Sequence, residues 1–310
     1  MSGGAASLAP VCLPPRKPCP PTRFRVPRHA WDTHVHLIGG GIDAPFLENR
    51  SYTPPVATVD AFIAMLDTVG VDYGVVVQIS VHGSDNRILK AALRRYPDRL
   101  RGVASIAGDE PEEELEELHA LGVRGIRLNE HFAGGVSAES LSPIAEICRR
   151  LGWHLDLGLT AGRLRATADD LRRLDLPFVL DHLGTCLPGG GIAHPDNAAV
   201  IALARNENCW IKLSGLYRLS AESSPYRDMI PLVQACCSAA PDRVIWGSDW
   251  PNVALFDPDK VPETGAQLDA MAELIPDRAL LQAILVDNPG RLFGSPGLPS
   301  PDSKAAGHHA

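Results

Sequence analysis

The chain has 310 residues, of which 45% are hydrophobic and 21% charged, and its formal net charge at pH 7 is −8. These values are typical of a globular protein with a large core. The negative charge, without a Lys/Arg cluster, argues against a nucleic-acid partner. The seven cysteines have no CxxC spacing, which argues against a disulfide framework or a zinc knuckle. No apolar run reaches the roughly 20 residues that span a bilayer, and no secretory signal is visible, so we expect a cytoplasmic protein with no membrane partner.

The first 28 residues form a segment that is rich in proline. Such a composition offers few residues to a core and is typical of disordered or extended chain. The prolines are Pro10, Pro14, Pro15, Pro18, Pro20, Pro21 and Pro27. Residues 295–310 are likewise expected to be a loose tail, which leaves residues 29–294 as a single folded domain.

Short apolar runs alternate with helical patterns from Ala30 onward. Residues 59–66 and 88–93 keep the three-and-four spacing of amphipathic helices, and Pro111 is expected in the first turn of another. The predicted strands are a first run that contains residues 29–31, then residues 73–79, 101–106, 123–129, 153–159, 177–183, 209–214 and 243–248. Eight alternations predict an α/β fold, a (β/α)8 TIM barrel, and the lack of a GxGxxG after an early strand disfavours a dinucleotide-binding sheet.

Active groups of such barrels lie at the C-terminal ends of the strands, so the strand list predicts the site. Alternate strand residues share a face, hence His34 and His36 are expected to point the same way. By the same rule Asp181 is expected to point away from a site that contains His182. The residues predicted at this rim are His34, His36, Gln78, Ser80, Arg127, Asn129, His182, Ser214, Tyr217, Arg218 and Asp249.

Three motifs carry a family resemblance: His34-x-His36, Asp181-His182-x-Gly184 and the segment Trp246-Gly247-Ser248-Asp249-Trp250-Pro251. Together they resemble the amidohydrolase superfamily, in its amidohydrolase-2 branch. Within that branch the chain is similar to the 2-pyrone-4,6-dicarboxylate hydrolases and related lactonases. Matching stretches extend over roughly residues 29 to 293, nearly the whole predicted domain.

The resemblance implies a role for each matched residue. Asp249 matches the general base that takes a proton from the hydrolytic water, and this suits a carboxylate within reach of that water. His34, His36 and His182 match hydrogen-bond donors that polarise the lactone carbonyl, where negative charge develops. The positions implied to hold substrate carboxylates are Tyr52, Ser80, Arg127 and Arg218.

Two positions depart from the pattern of the pyrone dicarboxylate hydrolases. Ala133 falls where the family has an Arg that grips a second carboxylate, and Gly158 falls where it has a Tyr. A second carboxylate would lose its charged partner, and burying it unpaired is prohibitive. We therefore expect a substrate with one carboxylate and a bulkier or neutral group at the other end.

The residues at the ends of strands 4 and 5 indicate whether the site needs a metal. Metal-dependent relatives usually carry a His on strand 5 or a bridging Lys or Glu on strand 4, whereas this chain has Gly158 and Asn129. We therefore expect no cofactor. In the alternative, His34, His36 and Asp249 hold one divalent ion, zinc or manganese, because three protein ligands suffice for an open catalytic site.

The predicted function is hydrolysis of a lactone of a small carboxylated molecule. A lactone isomerase and a metal-dependent decarboxylase of the same superfamily are the alternatives among enzymes. A barrel that binds an acidic ligand without turnover is the alternative outside enzymes, but a pure binder has no need of a base beside three donors.

Overall fold

Eight parallel strands form one sheet in the computed structural model, which describes residues 9–296. Each strand pairs with the next along the chain, so the strand order is sequential from first to last. The strands are β1 (Trp31–Val35), β2 (Tyr73–Val77), β3 (Leu100–Ala104), β4 (Val123–Asn129), β5 (His154–Gly158), β6 (Phe178–Leu180), β7 (Cys209–Leu213) and β8 (Val244–Trp246). The predicted (β/α)8 barrel is confirmed.

Helices connect the strands and cover the outside of the barrel. They are α1 (Val59–Val69), α2 (Arg87–Arg95), α3 (Glu112–Leu121), α4 (Leu141–Leu151), α5 (Ala161–Ala166), α6 (Ala168–Arg172), α7 (Pro195–Ala204), α8 (Leu216–Leu219), α9 (Ile230–Ala239), α10 (Thr264–Leu274), α11 (Arg278–Gln282) and α12 (Asn288–Phe293). The windows predicted from spacing lie in α1 and α2. Pro111 is the extended N-cap of α3 rather than a residue of its first turn. Within residues 9–296, no helix has the length and apolarity that a membrane span requires.

The barrel interior contains its own apolar cluster at the N-terminal end of the strands. Inward-facing side chains of β1, β2, β3, β6, β7 and β8 meet there, and Phe293 of α12 closes that end by stacking on Trp31 at a ring-centroid distance of 5.9 Å. A larger apolar cluster fills the space between the strands and the helices. These two packed layers leave the opposite rim, at the C-terminal ends of the strands, free for polar groups.

The segment after β8 closes the barrel against β1. The Asp249 backbone N–H donates to the His34 carbonyl at 2.9 Å, and the His36 N–H donates to the Trp250 carbonyl at 2.8 Å. Gly247 is required for this approach, because a Cβ there would lie 2.5 Å from the Cβ of His34. The prediction that the first and last strands are neighbours is therefore confirmed, and closure brings Asp249 to the two histidines.

Residues 9–28 run in extended conformation along loops of the barrel. The Cys12 N–H donates to the Thr53 carbonyl at 2.9 Å, the Leu13 N–H donates to the Leu255 carbonyl at 2.9 Å, and Asp269 accepts from the Thr22 N–H at 2.8 Å. Of the two states expected from the proline content, disordered or extended, residues 9–28 adopt the extended one, and the barrel loops supply hydrogen-bond partners to it. The same prediction for residues 1–8, and that of a loose tail for residues 297–310, lie outside the described residues.

Candidate active site

A cavity of about 520 Å³ opens at the C-terminal ends of the strands. Most of the predicted site residues line it, namely His36, Tyr52, Ser80, Arg127, Asn129, His182, Arg218 and Asp249. His34 lies beneath this wall and is fully buried, while Gln78 and Tyr217 are buried behind it. Folding thus assembles one site from residues that the sequence separates by more than half the chain.

Asp249 stands at the centre of this site. Its Oδ1 lies 3.5 Å from Nε2 of His36 and 3.8 Å from Nε2 of His34. Its Oδ2 accepts from the Tyr217 hydroxyl at 2.7 Å and from Nε of Arg218 at 3.1 Å. One carboxylate oxygen is therefore fixed by two donors, and the other faces the histidines.

The charge of Asp249 is stabilised by its neighbours. Burial works to raise the pKa of this carboxyl, but Arg218 above all, followed by His182 and His36, holds the pKa well below its usual range. Asp249 is therefore a carboxylate at neutral pH, which is the form that accepts a proton.

The hydrogen bonds of the rim histidines indicate where their protons lie. His36 Nδ1 donates to the Val77 carbonyl at 2.9 Å, so its Nε2 faces Asp249. His182 Nδ1 lies 2.9 Å from the Ser214 hydroxyl. Burial lowers the pKa of His182 to about 4, so this imidazole is neutral near pH 7. If the Ser214 hydroxyl donates to Nδ1, the remaining proton of His182 is on Nε2.

A buried charged cluster lies directly beneath the cavity. Lys212 of β7 is fully buried and donates to Asp156 at 2.6 Å and to Asp181 at 2.8 Å. Its Nζ also lies 3.2 Å from Nδ1 of His34. Burial works to lower the pKa of Lys212, but Asp156 and Asp181 raise it, so the side chain is an ammonium. The cluster thus connects β5, β6 and β7 to β1.

Sequence reasoning missed Lys212 and Asp156 and assigned Asp181 to the wrong face. Asp181 is fully buried inside the barrel, where its Oδ1 lies 3.3 Å from Nδ1 of His34. The alternation rule fails because β6 ends at Leu180 and His182 takes a positive φ of 52°. Both residues can then face inward. The sequence did contain a signal, because β5 and β7 each carry a charged residue at a position whose side chain points into the barrel.

The two carboxyls of this cluster have opposite protonation behaviour. Burial raises the pKa of Asp156 to about 8, and the neighbouring Asp181 adds to the effect. Burial opposes ionisation of Asp181 too, but Lys212, then His34 and Arg127, hold its pKa well below the usual range. Asp181 therefore carries the negative charge that balances the Lys212 ammonium.

The two arginines on the cavity wall are anchored by the protein. Arg127 donates to the Gln78 carbonyl at 3.2 Å, and its Nη2 lies 3.5 Å from Oδ2 of Asp181. Arg218 binds Asp249 and also donates to the Val253 carbonyl. Each guanidinium is thus oriented while part of it faces the cavity.

The two departures from the pyrone-hydrolase pattern lie outside the cavity wall. Ala133 is exposed, and its N–H donates to the Ser51 hydroxyl at 2.9 Å. A Cβ on Gly158 would lie 3.0 Å from Oδ1 of Asn129, so Asn129 fills the space beside this glycine. The Asn129 side chain therefore takes up the space that a larger residue at position 158 would use.

The expected ligand set for a divalent ion is close together. His34, His36 and Asp249 each offer one atom, and these atoms lie within 4.8 Å of one another. The spacing alone is compatible with one ion. Whether these donors suit an ion depends on which nitrogen of His34 carries the proton, because a metal binds the unprotonated nitrogen.

The barrel, the paired histidines at the C-terminal end of β1 and the aspartate after β8 define a class of enzyme. The amidohydrolase family model matches residues 31–295. The chain belongs to the amidohydrolase family and is a hydrolase, as the motif resemblance predicted.

Its relatives include enzymes named for lactones. It is 34% identical to the 4-sulfomuconolactone hydrolase of Hydrogenophaga intermedia over 95% of this chain and 98% of that protein. It is also 34% identical to the 2-pyrone-4,6-dicarboxylate hydrolase of Comamonas testosteroni, over 90% and 93%. A solved structure from Acinetobacter baumannii, described as a probable 2-pyrone-4,6-dicarboxylic acid hydrolase with citric acid bound, has 30% identity and a TM-score of 0.75, over 86% of this chain and 99% of that one.

Proposed function

We propose that the protein hydrolyses a lactone of a small carboxylated molecule, with Asp249 as the general base. The observation that carries the proposal is that the two oxygens of the Asp249 carboxylate have different surroundings. Oδ2 is held by Tyr217 and Arg218, whereas Oδ1 lies 3.5 Å from Nε2 of His36 and 3.8 Å from Nε2 of His34, and Asp249 lines the cavity. Oδ1 is therefore the oxygen that we assign to accepting the proton. The named relatives support the reaction class, because they act on lactones that carry acidic groups.

In the proposed reaction, Asp249 Oδ1 takes a proton from a water as the water oxygen attacks the lactone carbonyl carbon. The carbonyl electron pair moves to oxygen, and donors on the wall stabilise this charge. His182 supplies an Nε2–H when the Ser214 hydroxyl donates to its Nδ1. The ring C–O bond then breaks, and Asp249 returns its proton to the leaving oxygen, which gives the open-chain hydroxy acid or its keto form.

His36 and His34 are assigned different positions relative to the substrate. His36 lines the cavity beside Asp249, and since its Nδ1 is committed to Val77, only its Nε2 is left to contact a substrate carbonyl. His34 lies beneath the wall and faces Asp249. We therefore assign His34 to holding Asp249 rather than to polarising the carbonyl, which revises the role implied by the family resemblance.

The substrate carboxylate is proposed to bind between Arg127 and Arg218, with Tyr52 and Ser80 beside it. Both guanidinium groups line the cavity, and arginine matches the planar geometry of a carboxylate. Citric acid, the molecule bound in the Acinetobacter baumannii structure, also carries carboxylates. At the other end, Ala133 offers no cation, so a single carboxylate with a neutral distal group is favoured.

We further propose that turnover needs no metal. The ends of β4 and β5 carry Asn129 and Gly158, which are not the residues that metal-dependent relatives use there. The Arg218 guanidinium already supplies a positive charge beside Asp249, since it contacts Oδ2 of that carboxylate.

The experiment that tests this function is a panel of lactones followed by release of acid with a pH indicator. Monocarboxylated lactones are expected to release acid, and the pyrone dicarboxylate is expected to react with kcat/KM below about 10⁴ M⁻¹s⁻¹, the lower end of ordinary enzymes. Parallel assays for carbon dioxide and for ring isomers test the decarboxylase and isomerase alternatives. Binding of an acidic lactone without any product would instead support the non-catalytic alternative.

A further inference from the structure

The Lys212 ammonium sits in the barrel with no access to solvent. An ammonium has three N–H donors and no acceptor, and a buried donor without a partner is costly. Its hydrogen-bond partners are Oδ2 of Asp156 at 2.6 Å, Oδ1 of Asp181 at 2.8 Å and Nδ1 of His34 at 3.2 Å. Three donors therefore meet three acceptors, provided that Nδ1 of His34 carries no proton.

The other tautomer of His34 fails on two counts. A proton on Nδ1 would point toward Asp181 Oδ1 at 3.3 Å, but it would also oppose the Lys212 ammonium and leave one of its N–H groups unpaired. The bare Nε2 would then face the Asp249 carboxylate at 3.8 Å, lone pair against negative charge. In the favoured tautomer Asp181 receives no proton from His34 Nδ1, but Lys212 and Arg127 both contact it.

We propose that Lys212 is a positioning residue that fixes the proton of His34 on Nε2 and thereby keeps His34 from acting as a metal ligand. In this tautomer the Nε2–H points toward Asp249 and supports the carboxylate. A histidine binds a metal through an unprotonated nitrogen, and the other nitrogen then carries the proton. With Nε2 protonated and Nδ1 accepting from Lys212, His34 has no free nitrogen for an ion beside His36 and Asp249 or beside Asp181 and His182. Each set then keeps two ligands, which is fewer than an open catalytic site uses.

The catalytic consequence of this inference rests on the proposed function, but the inference itself concerns a tautomer and a metal stoichiometry. Both are measured without turnover. A failure of the lactone assay therefore leaves the result intact, and a failure of this inference leaves the lactone assay intact.

The test uses the full chain with ring-¹⁵N-labelled histidine, in which bare and protonated ring nitrogens differ widely in chemical shift. A His34→Gln variant identifies the His34 signals. Lys212→Met removes the ammonium, and Lys212→Met/Asp156→Asn removes it together with the Asp156 carboxyl that it contacts, should the single variant not fold. Asp156→Asn, which keeps Lys212, is the matched control. Each protein is also equilibrated with excess zinc, dialysed and assayed for metal.

In the unmodified protein and in Asp156→Asn, we expect a proton on His34 Nε2 and well under one zinc per chain. In the variants that lack Lys212, we expect the proton on Nδ1, directed at Asp181, and about one zinc per chain. Adding His34→Gln to those variants should remove that zinc. The proposal is overturned by a bare His34 Nε2 in the unmodified protein, by one tightly bound zinc in its presence, or by an unchanged tautomer once Lys212 is gone.

Discussion

Nε of Arg218 lies 3.1 Å from Oδ2 of Asp249, and both side chains line the same cavity. The family resemblance implied that Arg218 holds the substrate, but the guanidinium also contacts the base. In the proposed reaction Arg218 therefore connects the binding of a substrate carboxylate with the ionisation of the carboxylate that activates water.

Tyr217 is expected to matter for the rate rather than for substrate binding. Its hydroxyl donates to Asp249 Oδ2 at 2.7 Å from behind the cavity wall. Tyr217→Phe removes a hydrogen bond to a charged group, which contributes about 1.5–3 kcal/mol, so kcat should fall about 10- to 100-fold with KM nearly unchanged. Steady-state kinetics measure this, with Tyr226→Phe as a control at a buried tyrosine outside the cavity. Equal kcat values for Tyr217→Phe and the unmodified protein would contradict the orientation of Asp249 proposed here.

Chelation is expected to leave the activity unchanged. Protein treated with a strong chelator and then freed of it should keep its full rate, and elemental analysis should find well under one metal ion per chain. The reason is that the residues of the chain supply both the base and the donors. Activity that is lost on chelation and restored by zinc or manganese would show instead that His34, His36 and Asp249 are metal ligands.

Arg127 is expected to determine recognition of the substrate carboxylate. Arg127→Ala removes a charge-assisted contact, so KM for a monocarboxylated lactone should rise about 10- to 100-fold, equivalent to about 1.5–3 kcal/mol. The neutral methyl ester of the same lactone should bind equally well with and without Arg127. Arg124→Ala is the control, because Arg124 bonds carbonyls on the helix side of β4. If KM rises as much for the ester as for the acid, Arg127 has a structural role only.

Asp156 predicts a pH dependence of stability. Its pKa is raised from 3.8 to about 8, so between these values the folded chain holds a proton that the unfolded chain has lost. The free energy of unfolding contributed by this group therefore falls as pH rises from about 4 to about 8. Over that interval the Tm of Asp156→Asn should fall less than the Tm of the unmodified protein. Asp175→Asn, at an exposed aspartate, should follow the unmodified protein; parallel curves for all three would refute the assignment.

Much of the fold could be predicted because each strand is a short apolar run and each helix has regular spacing. The same regularity located His34, His36 and Asp249, since alternation and barrel closure are general rules. It failed at Asp181, where the strand ends and positive φ values replace alternation. Lys212 was missed because its inward-facing position on β7 was the one local signal. Its partners on β5 and directly after β6 become visible only when the barrel is assembled.

The extended segment of residues 9–28 shows a second limit of prediction from the sequence. Its proline content indicates only that it forms neither helix nor strand. Whether such a segment packs depends on partners elsewhere, here Thr53, Leu255 and Asp269, and no property of residues 9–28 reveals them.

The central claim is that Asp249 activates water for lactone opening, and Asp249→Asn tests it most directly. The asparagine keeps the shape of the side chain but cannot accept the proton, so acid release from a monocarboxylated lactone should fall about 10²- to 10⁴-fold. Circular dichroism and binding of the ring-opened product should show that the fold and the cavity are retained. A kcat close to that of the unmodified protein would contradict the account.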